Sequence, residues 1–320
     1  MRPILLLLAL PLLATFAPAS MLQEPTYPRA PTIWAEPVQL HENGSKRLGR
    51  LTYLGGWWLR SNHPDFGGIS AIHVRGSSVL ALSDNGMVMR FSVPSKTGAL
   101  PLWIQRLSDT PGTGKKQRDT EAMAVHDGRA WIAFERANSI FRYQLSNWRI
   151  DASARPEAMK KWPLNSGSEA MVRLRDGRFL VFSEGEKLGN GVTEAILFNA
   201  DPAIEDTPAT RLGYLAPSGF RITDAAELPD GRLLFLNRRL SLLDGFQVKL
   251  TIADKPRLEA GTVLKGREIA TFAPPVTTDN YEGLSIGQEG GRTIIWIASD
   301  DNFIDLERTL LFKFELDPAL

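Results

Sequence analysis

The chain has 320 residues, 43% of them hydrophobic and 23% charged, with 37 basic against 36 acidic side chains and no cysteine. That balance excludes a disordered chain, and 27 glycines with 21 prolines in no short period exclude collagen. It gives no bulk pull toward nucleic acid or anionic lipid, and without cysteine there are no disulfides, thiolate nucleophiles or cysteine-held metals.

In chain order the first element is a leader. Arg2 is a short basic start, Ile4–Phe16 is an apolar run, and Ala17-Pro18-Ala19 is a small-residue cleavage site. The run is shorter than the ~20 residues that a membrane helix needs. The expectation is a signal peptide at residues 1–19 and a single exported domain at 20–320, periplasmic or secreted. Cleavage there removes one basic residue, Arg2, and leaves equal numbers of acids and bases. No later segment is apolar enough to span a bilayer.

Five segments of the body share one layout: Gly67–Gly86, Asp119–Arg136, Ser168–Glu186, Thr223–Arg239 and Asn280–Asn302. Each runs from a small or acidic residue through a short apolar stretch to a glycine turn, then through a β-rich stretch to polar residues. Their anchors, Gly68, Glu121, Glu169, Asp224 and Glu282, recur at about 50-residue intervals, which for strands means a radial array. Asp127-Gly128, Asp176-Gly177 and Asp230-Gly231 lie between strand pairs, with Gly290-Gly291 in the fifth unit, and such pairs favour type I′ hairpins. Third strands follow at Met87–Val93, Ser139–Leu145, Glu194–Ala200, Phe246–Ala253 and Thr309–Leu316. Fourth strands follow in four units, Pro101–Leu107 and Arg211–Ala216 among them. Arg47–Leu59 is a spare strand that could complete the fifth unit. The fold class is therefore all-β: a β-propeller of five four-stranded antiparallel blades, closed by strands from both ends of the chain. A sixth, degenerate blade would have to come from unassigned stretches such as Pro28–Glu42 and Ser146–Lys161.

In such a blade the start of strand one and the end of strand two share one end of the central channel. Strand-one starts give Asp119, Glu121, Glu169, Asp224 and Glu282. Strand-two ends give Asp84, Glu135, Glu184, Asn237, Asp300 and Asp301. Like charges at one mouth repel unless compensated. The compensator is either a hard cation, calcium first, held by carboxylate oxygens, or the arginines of the same loops: Arg118, Arg136, Arg238, Arg239 and Arg308. Ser299–Glu307 (SDDNFIDLE) is the densest acidic cluster and does not have EF-hand spacing.

These stretches carry a resemblance. RLTYLGGWWLRSNHPDFGGIS, SDNG, RDTEAMAV, AFER, SEAMVRLRDGRFLVFSE, TDAAELPDGRLLFLNRR, DNYEGLSI and SDDNF with RTLLFKFEL resemble the phytase-like family described as having esterase-like activity of phytase. The resemblance implies a secreted β-propeller. By looser kinship with calcium-dependent propeller phytases, it also implies phosphate-ester hydrolysis through calcium held by channel-mouth carboxylates. Those relatives are six-bladed, against the five repeats counted here. Their lysine-rich phosphate grip is not evident, so Arg136, Arg238, Arg239 and Arg308 would have to serve.

Two functional classes follow. One is an exported metal-dependent hydrolase of phosphate or other small esters. In it Glu121, Glu282, Asp300, Asp301, Asp84 and Glu184 hold Ca²⁺, and Glu169 and Asp224 act with Arg136 and Arg238 in the chemistry. Arg239, Arg308, Asn302 and His63 contact the substrate. The other is a non-catalytic propeller that binds a small ligand or a protein through the same mouth. A lactonase-like propeller with a single divalent ion is a minor third option. Gly283–Gly287 matches G-x-S-x-G, but it lies inside a repeat strand and none of the four histidines follows it, against a serine hydrolase. Gly112–Lys116 lacks P-loop spacing.

Overall fold

The computed structural model describes residues 30–95, 97–112, 114 and 118–320. The expected leader and most of the Gly112–Lys116 loop lie outside them. The chain opens with β1 (Thr32–Pro37), β2 (Arg47–Leu48) and β3 (Leu51–Ser61). Then come β4 (Ile69–Arg75), β5 (Ser78–Ser83), β6 (Met87–Ser92), β7 (Gly98–Pro101) and β8 (Trp103–Arg106). The next repeat gives β9 (Thr120–His126), β10 (Arg129–Phe134), β11 (Ser139–Gln144) and β12 (Ile150–Ala154), followed by a 3-10 turn at Glu157–Met159. The third gives β13 (Ser168–Arg173), β14 (Phe179–Gly189), β15 (Val192–Phe198) and β16 (Ala209–Leu215). The fourth gives β17 (Arg221–Glu227), β18 (Leu233–Ser241), β19 (Gly245–Ala253), β20 (Val263–Leu264) and β21 (Arg267–Phe272). The chain ends with β22 (Tyr281–Glu289), β23 (Arg292–Ser299) and β24 (Leu310–Leu316).

These strands form a β-propeller. Sheet I is β4-β5-β6-β8, sheet II β9 to β12, sheet III β13 to β16 with β20 at its edge, and sheet IV β17-β18-β19-β21. Sheet V runs β22-β23-β24-β3-β1-β7, with β2 beside β3. The innermost strands touch in cyclic order: β4 meets β9, then β13, β17 and β22 follow, and β22 meets β4. The spare N-terminal strand lies antiparallel against β24 as β3, pairing Trp58 with Leu310 and Leu51 with Leu316. The unassigned Pro28–Glu42 supplies β1, and Ser146–Lys161 supplies β12.

Apolar residues on both faces of the middle strands build the core, as expected for sheets packed on both sides. They fall into five clusters, each spanning the seam between two neighbouring sheets. Between sheets III and IV, for example, Phe182 meets Tyr214 and Phe235 edge-on at ring distances of 5.5 and 5.7 Å. Trp57 stacks on Trp296 at 6.5 Å, and Phe66 is buried, so these aromatics belong to the core.

The hairpin turns divide into two kinds. Asp127-Gly128 and Gly290-Gly291 have positive φ at both residues, as type I′ requires. At Asp176-Gly177 and Asp230-Gly231 only the glycine does, with φ of 93° and 88°. There Gly177 N–H donates to Leu174 and Gly231 N–H to Leu228, closing a turn one residue earlier. The glycine then sits in the left-handed position that follows a type I turn, as in three-residue hairpin loops. Asp-Gly alone does not distinguish the two kinds.

Candidate active site

All five innermost strands carry a β-bulge near the channel mouth, directly after the first pairing with strand two in sheets I, II, III and V and after the second in sheet IV. In sheet II the register slips between Ala133 and Phe134, leaving Glu121 as the extra residue. The same slip leaves Glu169 unpaired in sheet III and Glu282 in sheet V. In sheets I and IV it leaves Ser70 and Thr223. A bulge bends its strand and re-aims the extra side chain, here toward the channel. Ser70 donates to the Thr120 carbonyl at 2.7 Å and Thr223 to the Tyr281 carbonyl at 3.2 Å, tying each strand to the next around the ring.

One step outward along strand two comes a second ring, whose residues lie within β14 and β18 in sheets III and IV and just past the strand in the other three. Asp84, Glu135, Glu184 and Asp300 follow Ser83, Phe134, Ser183 and Ser299, and in sheet IV the equivalent residue after Asn237 is Arg238. Sheet IV thus sets a guanidinium at the position where the other four sheets carry a carboxylate. Arg238 donates from Nη1 to Glu282 and to Asn280. Burial opposes its charge, but Glu282, Glu169, Glu184 and Asp300 more than offset this and raise its pKa.

The carboxyls of the group press on one another. Burial lifts Glu121 well above the ordinary carboxylate range, and Glu169, Glu282, Asp119 and Glu135 add to it. Burial, then Glu184, Glu135 and Glu282, lift Glu169 in the same way, against the pull of Arg238. Burial raises Glu282 as well, with Arg238 opposing and Asp84 and Glu184 assisting. Asp300 is raised by burial and by Glu282. Glu135 is pushed up to about 7, mainly by burial and Asp119, although it accepts the Gly167 N–H at 3.2 Å. Carboxylate oxygens of Asp119, Glu121 and Glu135 lie within 4.8 Å of one another. The donors are all hard oxygens with no sulfur or imidazole among them. That set fits a hard divalent cation such as Ca²⁺.

The other expected site residues are placed differently. Asp224 is one residue past the bulge, so it sits where sheets II and III carry Ala122 and Ala170. It is buried against β22, and its two oxygens accept the Ala225 and Leu284 N–H groups at 2.7 Å. Burial raises its pKa well above the ordinary carboxylate range, and these two bonds offset only part of that. Asp224 therefore clamps the seam between sheets IV and V and does not join the mouth carboxylates. Asp301 is likewise engaged, accepting Gly68 N–H at 2.8 Å, Phe303 N–H at 3.1 Å and the Thr309 hydroxyl at 2.7 Å. Arg136 pairs with Asp119 at 2.7 Å and so stays beside the ring. Glu184 pairs with Arg221 at 3.1 Å. Arg308 is spent on Asp279 at 3.0 Å, and Arg239 bonds Gln247 and lies over Phe220. Asn302 donates its amide to Glu307 at 2.7 Å. His63 accepts the Asp65 N–H at 3.2 Å, and burial lowers its pKa. Asn280, which shares Arg238 with Glu282, was not singled out by sequence; nothing in its local pattern marks it.

Ser285 of the G-x-S-x-G match is buried in β22 and accepts the Val74 N–H at 2.9 Å across the sheet V–sheet I seam. Its hydroxyl is structural. Ser285→Ala is expected to lower stability by about 1 kcal/mol in urea denaturation, the worth of one hydrogen bond, while leaving any hydrolytic rate unchanged.

The family model described as "Phytase-like: Esterase-like activity of phytase" matches residues 64–303, which include both rings. A search of curated proteins found no match. Among solved structures, the crystal structure of Myxococcus xanthus glutaminyl cyclase aligns at 10% identity with a TM-score of 0.49, over 84% of this chain and 99% of that one. With three quarters of its length matched by that model, the chain belongs to the phytase-like family.

Proposed function

We propose that the protein is an exported hydrolase of phosphate or other small esters, working with a divalent cation at the carboxylate mouth of a five-bladed ring. The observation that carries this reading is the pair of rings. Glu121, Glu169 and Glu282 share one bulge position, and Asp84, Glu135, Glu184 and Asp300 share one exit position, which sheet IV gives to Arg238; among the described residues Arg221 and Arg136 add ion pairs to Glu184 and to the neighbouring Asp119. A purely structural network would be expected to match acids with bases, as Asp279–Arg308 does outside the ring. The five sheets, their five seams and the β3–β24 pairing support the blade count and closure by both termini. Export rests on the leader pattern at residues 1–19. Among the described residues no helix is long and apolar enough to cross a membrane.

Glu121, Glu169, Glu282, Asp84, Glu184 and Asp300, with Asp119 and Glu135, would hold the cation. Bound there, it would supply Lewis acidity, polarising an ester oxygen and lowering the pKa of a water. Arg238 would bind the ester's charged oxygens through the face of its fork not given to Glu282, and planar guanidinium suits phosphate and carboxylate oxygens. Arg136 would orient Asp119 through their ion pair. The test is turnover of p-nitrophenyl phosphate against p-nitrophenyl acetate, with calcium or with EDTA. Calcium-dependent release that Glu169→Ala abolishes is expected. Release that EDTA and Glu169→Ala both leave intact would overturn it, and no release from any ester would favour a ligand-binding propeller.

A further inference from the structure

The far end of the ring, where the first hairpins turn, holds a second feature. Each sheet carries there a row of three directly paired residues on the face turned to the next sheet. The row is Ala124–Trp131–Arg142 in sheet II, Val172–Leu180–Leu197 in sheet III, Ala226–Leu234–Ile252 in sheet IV and Ser285–Trp296–Lys313 in sheet V. In sheet I it is His73–Leu80–Arg90. Where the row includes a cation in sheets II and V, a tryptophan fills the middle and the cation is paired. Arg142 is bridged to Asp151 and Asp201, and Lys313 to Glu289 at 2.7 Å. Sheet I has neither the tryptophan nor the partner.

The result is a cavity of about 640 Å³ between sheet I and the first hairpin of sheet II. His73, Arg75, Leu80 and Arg90 line it from one side, and His126 and Asp127 from the other. Arg75 shares a face with His73, being two residues further along β4. Neither Arg75 nor Arg90 forms an ion pair among the described residues, and Asp127, the one acid in the lining, forms none either. Arg90 lies over Trp103, its cross-strand neighbour, at 5.4 Å, and Trp103 stacks on Trp148. That stack orients the guanidinium before any ligand arrives, which cuts the entropy lost on binding. Burial and then Arg75 lower the His73 pKa, so its imidazole stays neutral and keeps one N–H to donate.

We propose that this seam is a binding site for a small oxyanion, a phosphate or carboxylate group gripped by Arg75 and Arg90 with His73 at the floor. It stands at the opposite end of the ring from the carboxylate mouth and is independent of any reaction there. Two guanidinium forks without a carboxylate partner suit planar or tetrahedral oxyanions, and the volume holds a molecule larger than the anion alone.

The test is isothermal titration calorimetry on the full chain at pH 7 in EDTA, with inorganic phosphate in one arm and succinate in the other. EDTA leaves the carboxylate mouth without a cation and therefore repulsive to anions. One saturable site for at least one anion is expected, and the two arms show which oxyanion is preferred. The double variant Arg75→Gln/Arg90→Gln, at exposed positions that do not threaten the fold, is expected to weaken binding at least about tenfold, the loss of one charge-assisted bond or more. Leu80→Trp, which installs the filling that sheets II and V already have, is expected to abolish it. The proposal is overturned by no saturable heat with either anion, or by binding that the double arginine variant leaves intact. It is also overturned if Arg238→Met removes the binding, because the anion would then sit at the mouth.

Discussion

Replacing Glu121 or Glu169 with glutamine is expected to raise the melting temperature of the cation-free protein at pH 7. Both carboxyls are crowded by protein and by other acids, and both titrate well above the ordinary range. The sign follows from linkage. A carboxyl whose pKa is higher in the folded state than in the unfolded state binds its proton more tightly when folded. Its favourable contribution is fully present below the unfolded value of 4.5 and is lost as pH rises through the folded value. Glutamine keeps the shape and the hydrogen-bonding oxygen but never acquires the charge. Parent and variant should therefore melt together near pH 4 and separate as pH rises. A gain of roughly 2–4 °C corresponds to ~1 kcal/mol in a chain somewhat smaller than this one. With millimolar calcium the order should reverse, because the parent gains by mass action at its oxygen cage and the variants lose a ligand. A variant that melts below the parent in EDTA at pH 7 would show that the glutamates are already compensated within the protein.

The same residues show what the sequence made legible. The all-β propeller and its antiparallel strands follow from periodicity and hairpin turns, and the sheet pairing agrees with them. The register at the mouth does not follow. An extra residue in each innermost strand reverses the alternation of side chains, and a sequence read with a strict period of two has no mark for it. Aligning the acids alone places Asp224 beside Glu121, Glu169 and Glu282, whereas the bulge gives that position to Thr223 and turns Asp224 into the seam. It also gives the first unit's position to Ser70, two residues past the glycine used as its anchor. Arg238 reads as one of several loop arginines; only the strand pairing shows that it replaces an acid. Arg239 and Arg308 look equivalent to it in composition, but their partners, Gln247 and Asp279, lie outside the repeat segments. Burial separates Asp301 from Asp300 in the same way, since neighbouring residues on an extended chain point to opposite sides.

Arg238→Met is expected to have the largest effect of any single change at the mouth. The side chain is about as long and as apolar along its stem, so packing is nearly kept and the charge is removed. Glu282 and Glu169 then lose the guanidinium that favours their charged forms. Breaking a buried ion pair by deleting one partner costs ~3–5 kcal/mol. Arg238 keeps 25% of its side chain exposed and Glu282 14%, so screening by solvent brings the expectation to roughly 2–3 kcal/mol. Three readouts separate this from a packing defect. The loss should shrink below about pH 4.5, where free carboxyls protonate. Adding Glu282→Gln should restore most of the stability, because the double variant has no unpaired charge at that position; coupling of neighbours in such a cycle is ~0.5–3 kcal/mol. Millimolar calcium should restore stability too, since a cation can replace the guanidinium as counter-charge. Under the proposed function it should not restore ester turnover, because Arg238 would be the group that meets negative charge as it develops on the substrate. Losing such a group costs about 10²–10³ in kcat. If Arg238→Met folds with unchanged stability across pH 4–8 and retains turnover, the mouth does not depend on its guanidinium. The excess of acid in the two rings would then have to be balanced by bound cations alone.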